Sequence, residues 1–264
     1  MSLARVVLDE LTITDEASFA HVALYARLKR VLHEAKYPFQ VGAEGTPLSW
    51  DRVTFLNLTY WSSEQGADVL CERSIPADVV AHVAWHHLAT TQLAPLAPES
   101  AGGACAPALF FGEAIASAFD LYLVGRLLRN VPDSDFINTQ VEIMGEAAEQ
   151  AGLAPAGFEA LLEIIALDPE RAFEDLRSLL YDVANGLLGC RSAVEAQLVL
   201  ESFASHRFAS LLHHYQLSNW VLYARAYGVA SAAQERVVRE LDSTLRHAPV
   251  ALDWLAEHWL TPLT

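Results

Sequence analysis

Hydrophobic residues recur at helical spacing through most of this chain. The period is clearest from Pro155 to the C-terminus, where nearly every window of residues has an apolar face that repeats every three to four positions. The breaks in this pattern fall at four places: Asp168-Pro169, Gly186 to Gly189, Gly228 and Pro249. No alternating strand pattern is convincing in the same region. The pattern therefore predicts a predominantly α-helical protein of the all-α class.

Four further helices are predicted before Pro155. The first should begin near Asp15, end before Pro38 and bury a stripe of Phe19, Val22, Ala23 and Ala26. The others are expected from Pro76 to about Gln92, from Pro107 to about Asn130 and from Asp135 to about Ala151. Ser74 is expected to cap the first of these three, since serine followed by an early proline is typical of a helix start.

The pattern is less regular between residues 39 and 72. Residues 39–48 contain glycine and proline and are interpreted as a loop, whereas Trp50 to Trp61 suits either a helix or a strand. We expect either helix there or a small β element around residues 39–72. The simplest organisation is a single helical domain over 1–264, and the alternative is a division into parts 1–130 and 131–264.

Charge narrows the range of partners. The chain of 264 residues has 33 acidic and 17 basic residues, a net charge of −16, while 53% of its residues are hydrophobic. An acidic surface repels phosphate backbones and anionic headgroups, so we expect neither nucleic acid nor membrane as a partner. Three scattered cysteines without C-x-x-C spacing, and no signal peptide at the N-terminus, indicate a reduced, cytoplasmic protein. The apolar content and six tryptophans suit a buried oligomer interface and a large core equally well.

Two histidines form the first candidate site. His82 and His86 are four residues apart in the helix predicted from Pro76, so both imidazoles project from one face and can converge on a metal ion. His87 points about 100° away on that helix and is not expected to join them.

Two acidic residues lie in the longest apolar helix. Glu113 and Asp120 are seven residues apart, nearly two turns, and therefore share a face. A carboxylate near the middle of a membrane span is costly, so the segment from Pro107 to Leu128 is interpreted as a buried core helix. A buried carboxylate needs a cation, a metal or a hydrogen-bond donor.

The order H-V-A-W-H, then G-E-A-I-A-S about 27 residues later, resembles the zincin metallopeptidases of the gluzincin type. The resemblance covers roughly residues 74–126 and implies a zinc site in which His82, His86 and Glu113 are ligands. Asp120 would then orient a histidine from the second shell. The family's H-E-x-x-H motif has a glutamate as general base, but this chain has Val83 there, and valine cannot accept a proton. The ordinary peptidase chemistry should therefore be lost or altered.

Three functions follow as hypotheses. The first is a zincin-related metal-binding protein, either a divergent metal-dependent hydrolase or an inactive descendant that binds a peptide or a small molecule. The second is a non-haem iron oxidase-like bundle that adds Glu142 or Glu146 to the same histidines. The third is a structural or protein-interaction module without metal. Tyr181, Tyr215 and Tyr223 could donate protons, although tyrosines commonly line cores.

Overall fold

The computed structural model describes residues 3–42, 68–70, 72–93 and 104–260. Helices account for 73% of the described residues, which confirms the predicted α-helical class. The α-helices in this part of the chain are α1 (Ala23–Glu34), α2 (Ala77–Leu93), α3 (Ala106–Asn130), α4 (Asp135–Gln150), α5 (Pro155–Leu167), α6 (Pro169–Leu188), α7 (Ala193–Ser202), α8 (His214–Tyr227), α9 (Ala232–His247) and α10 (Ala251–Trp259).

Five short strands accompany the helices in the described residues: β1 (Leu3–Val6), β2 (Thr12–Thr14), β3 (Phe39–Gly42), β4 (Asp68–Leu70) and β5 (Ser74–Pro76). Strand β3 is the centre of a three-stranded sheet, antiparallel to β1 and parallel to β4. Strands β2 and β5 pair in parallel as a separate two-stranded sheet. Two of the strands, β3 and β4, lie in the window for which a small β element was expected.

The chain divides into two compact units, Met1–His87 and Leu88–Thr264. The boundary lies inside α2, which is one continuous helix. Whether the two units act as a single domain, or as parts divided after residue 130, stays a prediction.

The first helix of the first unit begins later than predicted. Glu16–Phe19 form a 3-10 turn, and the α-helix begins only at Ala23. Asp15 adopts a left-handed backbone conformation with φ of 54°, which interrupts a helix there. Phe19 and Val22 are buried as expected, but Ala23 and Ala26 are exposed. The buried stripe of α1 consists instead of three larger residues: Tyr25, Leu28 and Leu32.

The interpretation of residues 39–48 as a loop is wrong for its first four residues. Phe39–Gly42 form β3, in which Phe39 and Val41 are buried on alternate positions. The expected cap at Ser74 is also wrong, because Ser74–Pro76 pair as a strand and the helix begins at Ala77. The segment from Trp50 to Trp61 lies outside the described residues.

The second unit is built around α3. Sixteen of its 25 residues are buried, and its most extensive helix–helix contact among the described elements is with α6. Helix α3 is long and apolar enough to cross a membrane, but 83% of its most apolar stretch is buried inside the structure. A core helix has this property, as the sequence predicted. At Gly125 a side chain would lie 2.6 Å from the carbonyl oxygen of Ile165, so only glycine permits this packing.

The helix ends of the second unit follow the predicted breaks. Asp168 ends α5 and caps α6, accepting a hydrogen bond from the amide of Arg171. Gly189 follows α6, and Gly228 follows α8. Side-chain caps of this kind satisfy amides that have no partner in the first helical turn. The predicted breaks therefore coincide with helix ends, but none was predicted between α7, which ends at Ser202, and α8, which begins at His214.

Candidate metal centre

His82 and His86 form a close pair on α2. Their Nε2 atoms are 3.1 Å apart, and their ring centroids are separated by 4.8 Å. Both side chains are partly exposed. His87 leaves this face, as its helical position predicted, and its ring packs edge-on against Tyr37 at 5.3 Å.

Helix α2 approaches α3 closely just beyond the histidine pair. A methyl group added at Gly112 would lie 3.2 Å from the Cβ of Ala89. Ala89 follows His86 by three residues and therefore lies on the same helical face, one turn further along. Glu113 is the next residue after Gly112. The glycine thus permits the close approach of the helices that bear the three predicted ligands.

The structure brings His82, His86 and Glu113 together. One ligand atom from each residue can be chosen so that all three lie within 4.8 Å of one another. Glu113 is 7% exposed, so the acidic member is buried, and the two histidines are partly buried beside it. Among the described residues, this is the group of three or more His, Cys, Asp or Glu side chains that could hold a metal ion.

The donor set fits a divalent transition metal. In a tetrahedral zinc site, metal–nitrogen bonds of about 2.0–2.1 Å place neighbouring ligand atoms about 3.3 Å apart, close to the 3.1 Å between the two Nε2 atoms. Any two ligands of one ion lie at most about 4.2 Å apart, so the three ligand atoms, which lie within 4.8 Å of one another, must draw closer to bind one ion. Two histidines and a glutamate are also the donors of non-haem iron sites.

Electrostatics favour the ligand form of His86. Burial, followed by the neighbouring His82, lowers the pKa of His86 well below its ordinary value. The imidazole is therefore neutral at physiological pH, and metal binding requires that neutral form.

A tyrosine of α8 lies within electrostatic range of the acidic ligand. Burial, then Tyr227, then the charge of Glu113 raise the pKa of Tyr223. The rings of Tyr223 and Tyr227 are 5.0 Å apart. The sequence indicated Tyr223 only as a tyrosine able to donate a proton. The distance along the chain between Tyr223 and Glu113 gave no sign that the two residues interact.

The remaining candidates lie outside the group. Asp120 is on α3, partly exposed, and its expected orienting role stays a prediction. Val83 is 5% exposed, and its side chain offers no proton acceptor. Glu142 and Glu146, the extra ligands of the iron-bundle hypothesis, are exposed on α4 and do not join the cluster.

No protein-family model, curated protein or solved structure matches this chain.

Proposed function

We propose that this protein binds one divalent metal ion, with zinc as the expected ion, through His82, His86 and Glu113. The observation that carries the proposal is the convergence of these ligand atoms within 4.8 Å. The burial of Glu113 and the lowered pKa of His86 support it, because a buried carboxylate gains from a cation and a neutral imidazole has a lone pair to donate.

Three protein ligands favour a binding centre over a closed structural one. Structural zinc sites have four protein ligands, whereas sites that accept a substrate keep one position open. No fourth His, Cys, Asp or Glu of the described residues joins the group. A zinc ion bound there would supply a Lewis acid. The open position on the ion would accept an oxygen, nitrogen or sulfur atom of a peptide or small molecule, which the chain's own residues would hold.

Val83 bears on peptidase activity and not on metal binding. In the zincin motif this position holds the general base, and here it holds a buried aliphatic side chain. We infer a zincin-related protein that binds a ligand at its metal and lacks H-E-x-x-H peptidase activity. A divergent hydrolase would need a base from another element.

The direct test is metal content. Untagged protein is analysed by elemental mass spectrometry beside His82→Ala and Glu113→Ala. His213→Ala, at the residue that precedes α8, and Glu142→Ala, on α4, are the matched controls. The proposal predicts about one zinc per chain in the wild type and the controls, and none in the two site variants. No metal after zinc is offered would contradict it and favour an interaction module. Stoichiometric iron with visible absorbance would favour the oxidase alternative.

Val83→Glu tests the relation to zincins separately. The substitution restores the H-E-x-x-H pattern at a position that is 5% exposed. We expect lower stability in the metal-free protein, because the new carboxylate is buried. A gain of zinc-dependent peptide hydrolysis over Val83→Gln, which adds a similar volume without the base, would support the relation. Equal activity of the two variants would count against it.

A further inference from the structure

Gln234 joins two distant parts of the second unit through its side-chain amide. Its Oε1 accepts a hydrogen bond from the backbone amide of Cys105 at 2.6 Å, and its Nε2 donates to the carbonyl oxygen of Leu93 at 2.9 Å. Gln234 lies in the first turn of α9, is fully buried, and has its own amide bonded to Ser231 Oγ. Both ends of the amide group are therefore satisfied in the interior.

The two backbone groups are the facing ends of the helices that carry the predicted ligands. Leu93 is the last residue of α2, and Cys105 directly precedes α3. An adjacent bond from the amide of Val229 to the carbonyl oxygen of Ala104 holds the same entry to α3. The amide of Gln234 thus fixes the end of one helix to the beginning of the next.

The ligands lie at similar distances from this connection. His86 is seven residues before Leu93, about 10.5 Å along the helix, and Glu113 is eight residues after Cys105, about 12 Å. The close approach of Ala89 and Gly112 lies between the connection and the ligands and keeps the helices side by side. A change in spacing at Gln234 would therefore be transmitted to the distance between imidazole and carboxylate.

We propose that Gln234 is a positioning residue of the metal centre, which sets the spacing of α2 and α3 and thereby the separation of His86 from Glu113. The inference rests on the proposed function. Gln234 touches neither ligand and acts through the two helix ends.

The test compares metal affinity with stability. Gln234→Met removes both hydrogen bonds at nearly constant volume, and Gln234→Glu keeps the acceptor but loses the donor. Val238→Ala is the control, a fully buried change one turn further along α9 that contacts neither helix end through a hydrogen bond. Zinc dissociation constants come from competition with a chromophoric chelator, and unfolding curves are measured on the same samples. The visible spectrum of Co²⁺ bound in place of zinc reports ligand geometry.

We expect Gln234→Met to weaken zinc binding about 10- to 100-fold and to change the Co²⁺ spectrum, as loss of supporting contacts around metal ligands does. Val238→Ala should leave the dissociation constant within about twofold at a similar loss of stability. If Gln234→Met does not fold, Gln234→Glu decides the question by the same criteria. Unchanged zinc affinity and an unchanged Co²⁺ spectrum in the Gln234 variants would overturn the positioning role but not the proposed function. Equal weakening of zinc binding in Val238→Ala would have the same meaning. A wild type that binds no zinc would overturn the proposed function and the positioning role with it.

Discussion

The second unit contains a buried ionic cluster that contrasts with the candidate metal centre. The Arg177 guanidinium is fully buried and donates through Nε and Nη2 to Glu174 at 2.7 and 2.6 Å, and through Nη1 to Asp242 at 2.9 Å. It also lies 5.4 Å from the ring centroid of Phe111. This cluster contains its own cation, and its geometry fixes α6 against α9.

The metal centre has a different chemical character. His82, His86 and Glu113 have nitrogen and oxygen ligand atoms within 4.8 Å of one another, a group that could hold a metal ion. The two clusters bury charged groups for different reasons. A cluster that includes its own cation stabilises the fold, whereas a cluster of convergent ligand atoms suits an added cation. Stability and metal binding should therefore respond to substitutions at different places.

The largest expected effect is on the ionic cluster. Arg177→Met removes the cation from Glu174 and leaves Asp242 with Arg246 alone, and we expect a loss of about 3 kcal/mol in the free energy of unfolding. Arg171→Met is the matched control, because Arg171 is 67% exposed in its pair with Asp175 and should cost less than about 1 kcal/mol. Denaturant unfolding measures both. Equal losses of unfolding free energy in the two variants would show that buried Arg177 contributes no more to stability than exposed Arg171.

Zinc should stabilise the protein only through the cluster of His82, His86 and Glu113. At a free zinc concentration of 100 times the dissociation constant, the free energy of unfolding should rise by about 2.7 kcal/mol. His86→Ala and Glu113→Gln should abolish this increment, while Arg177→Met, measured where it still folds, should retain it. Unfolding curves with zinc and with a chelator provide the measurement. An increment that survives in Glu113→Gln would place the ion elsewhere.

The smallest expected effect is a dependence of metal-free stability on pH. Since the pKa of His86 in the folded state is lowered, the unfolded state binds more protons, and stability falls as the pH drops below about 6.5. Below this pH the group should cost a progressively larger amount of unfolding free energy. His86→Gln should flatten the curve by that amount, while the contributions of His87 and His206, whose pKa values burial also lowers, remain. Identical pH profiles for wild type and variant would contradict the lowered pKa.

The sequence predicted the features that depend on local spacing. Most helices from α2 onward begin and end close to their predicted limits, because proline, glycine and capping residues mark their ends. No break was predicted between Gly189 and Gly228, where α7 ends at Ser202 and α8 begins at His214. The four-residue spacing of His82 and His86 was sufficient to place them on one face. Glu113 could be singled out because a carboxylate in an apolar helix needs a partner.

Features that depend on distant residues were not predictable in this way. The strands of the first unit are three or four residues long, too short for an alternating pattern to stand out. The bond between Arg177 and Asp242 spans 65 residues, and those of Gln234 span 129 and 141. A polar residue in a helix has the same local pattern whether it faces solvent or joins two other helices, so only the folded chain reveals the second role.

Anomalous X-ray scattering at the zinc edge, from crystals of the wild-type protein grown with zinc, tests the proposed metal site most directly. We expect one strong peak per chain, at about 2.0–2.2 Å from Nε2 of His82, Nε2 of His86 and a carboxylate oxygen of Glu113. A peak on other residues, or no peak at this position with zinc present in excess, would contradict it.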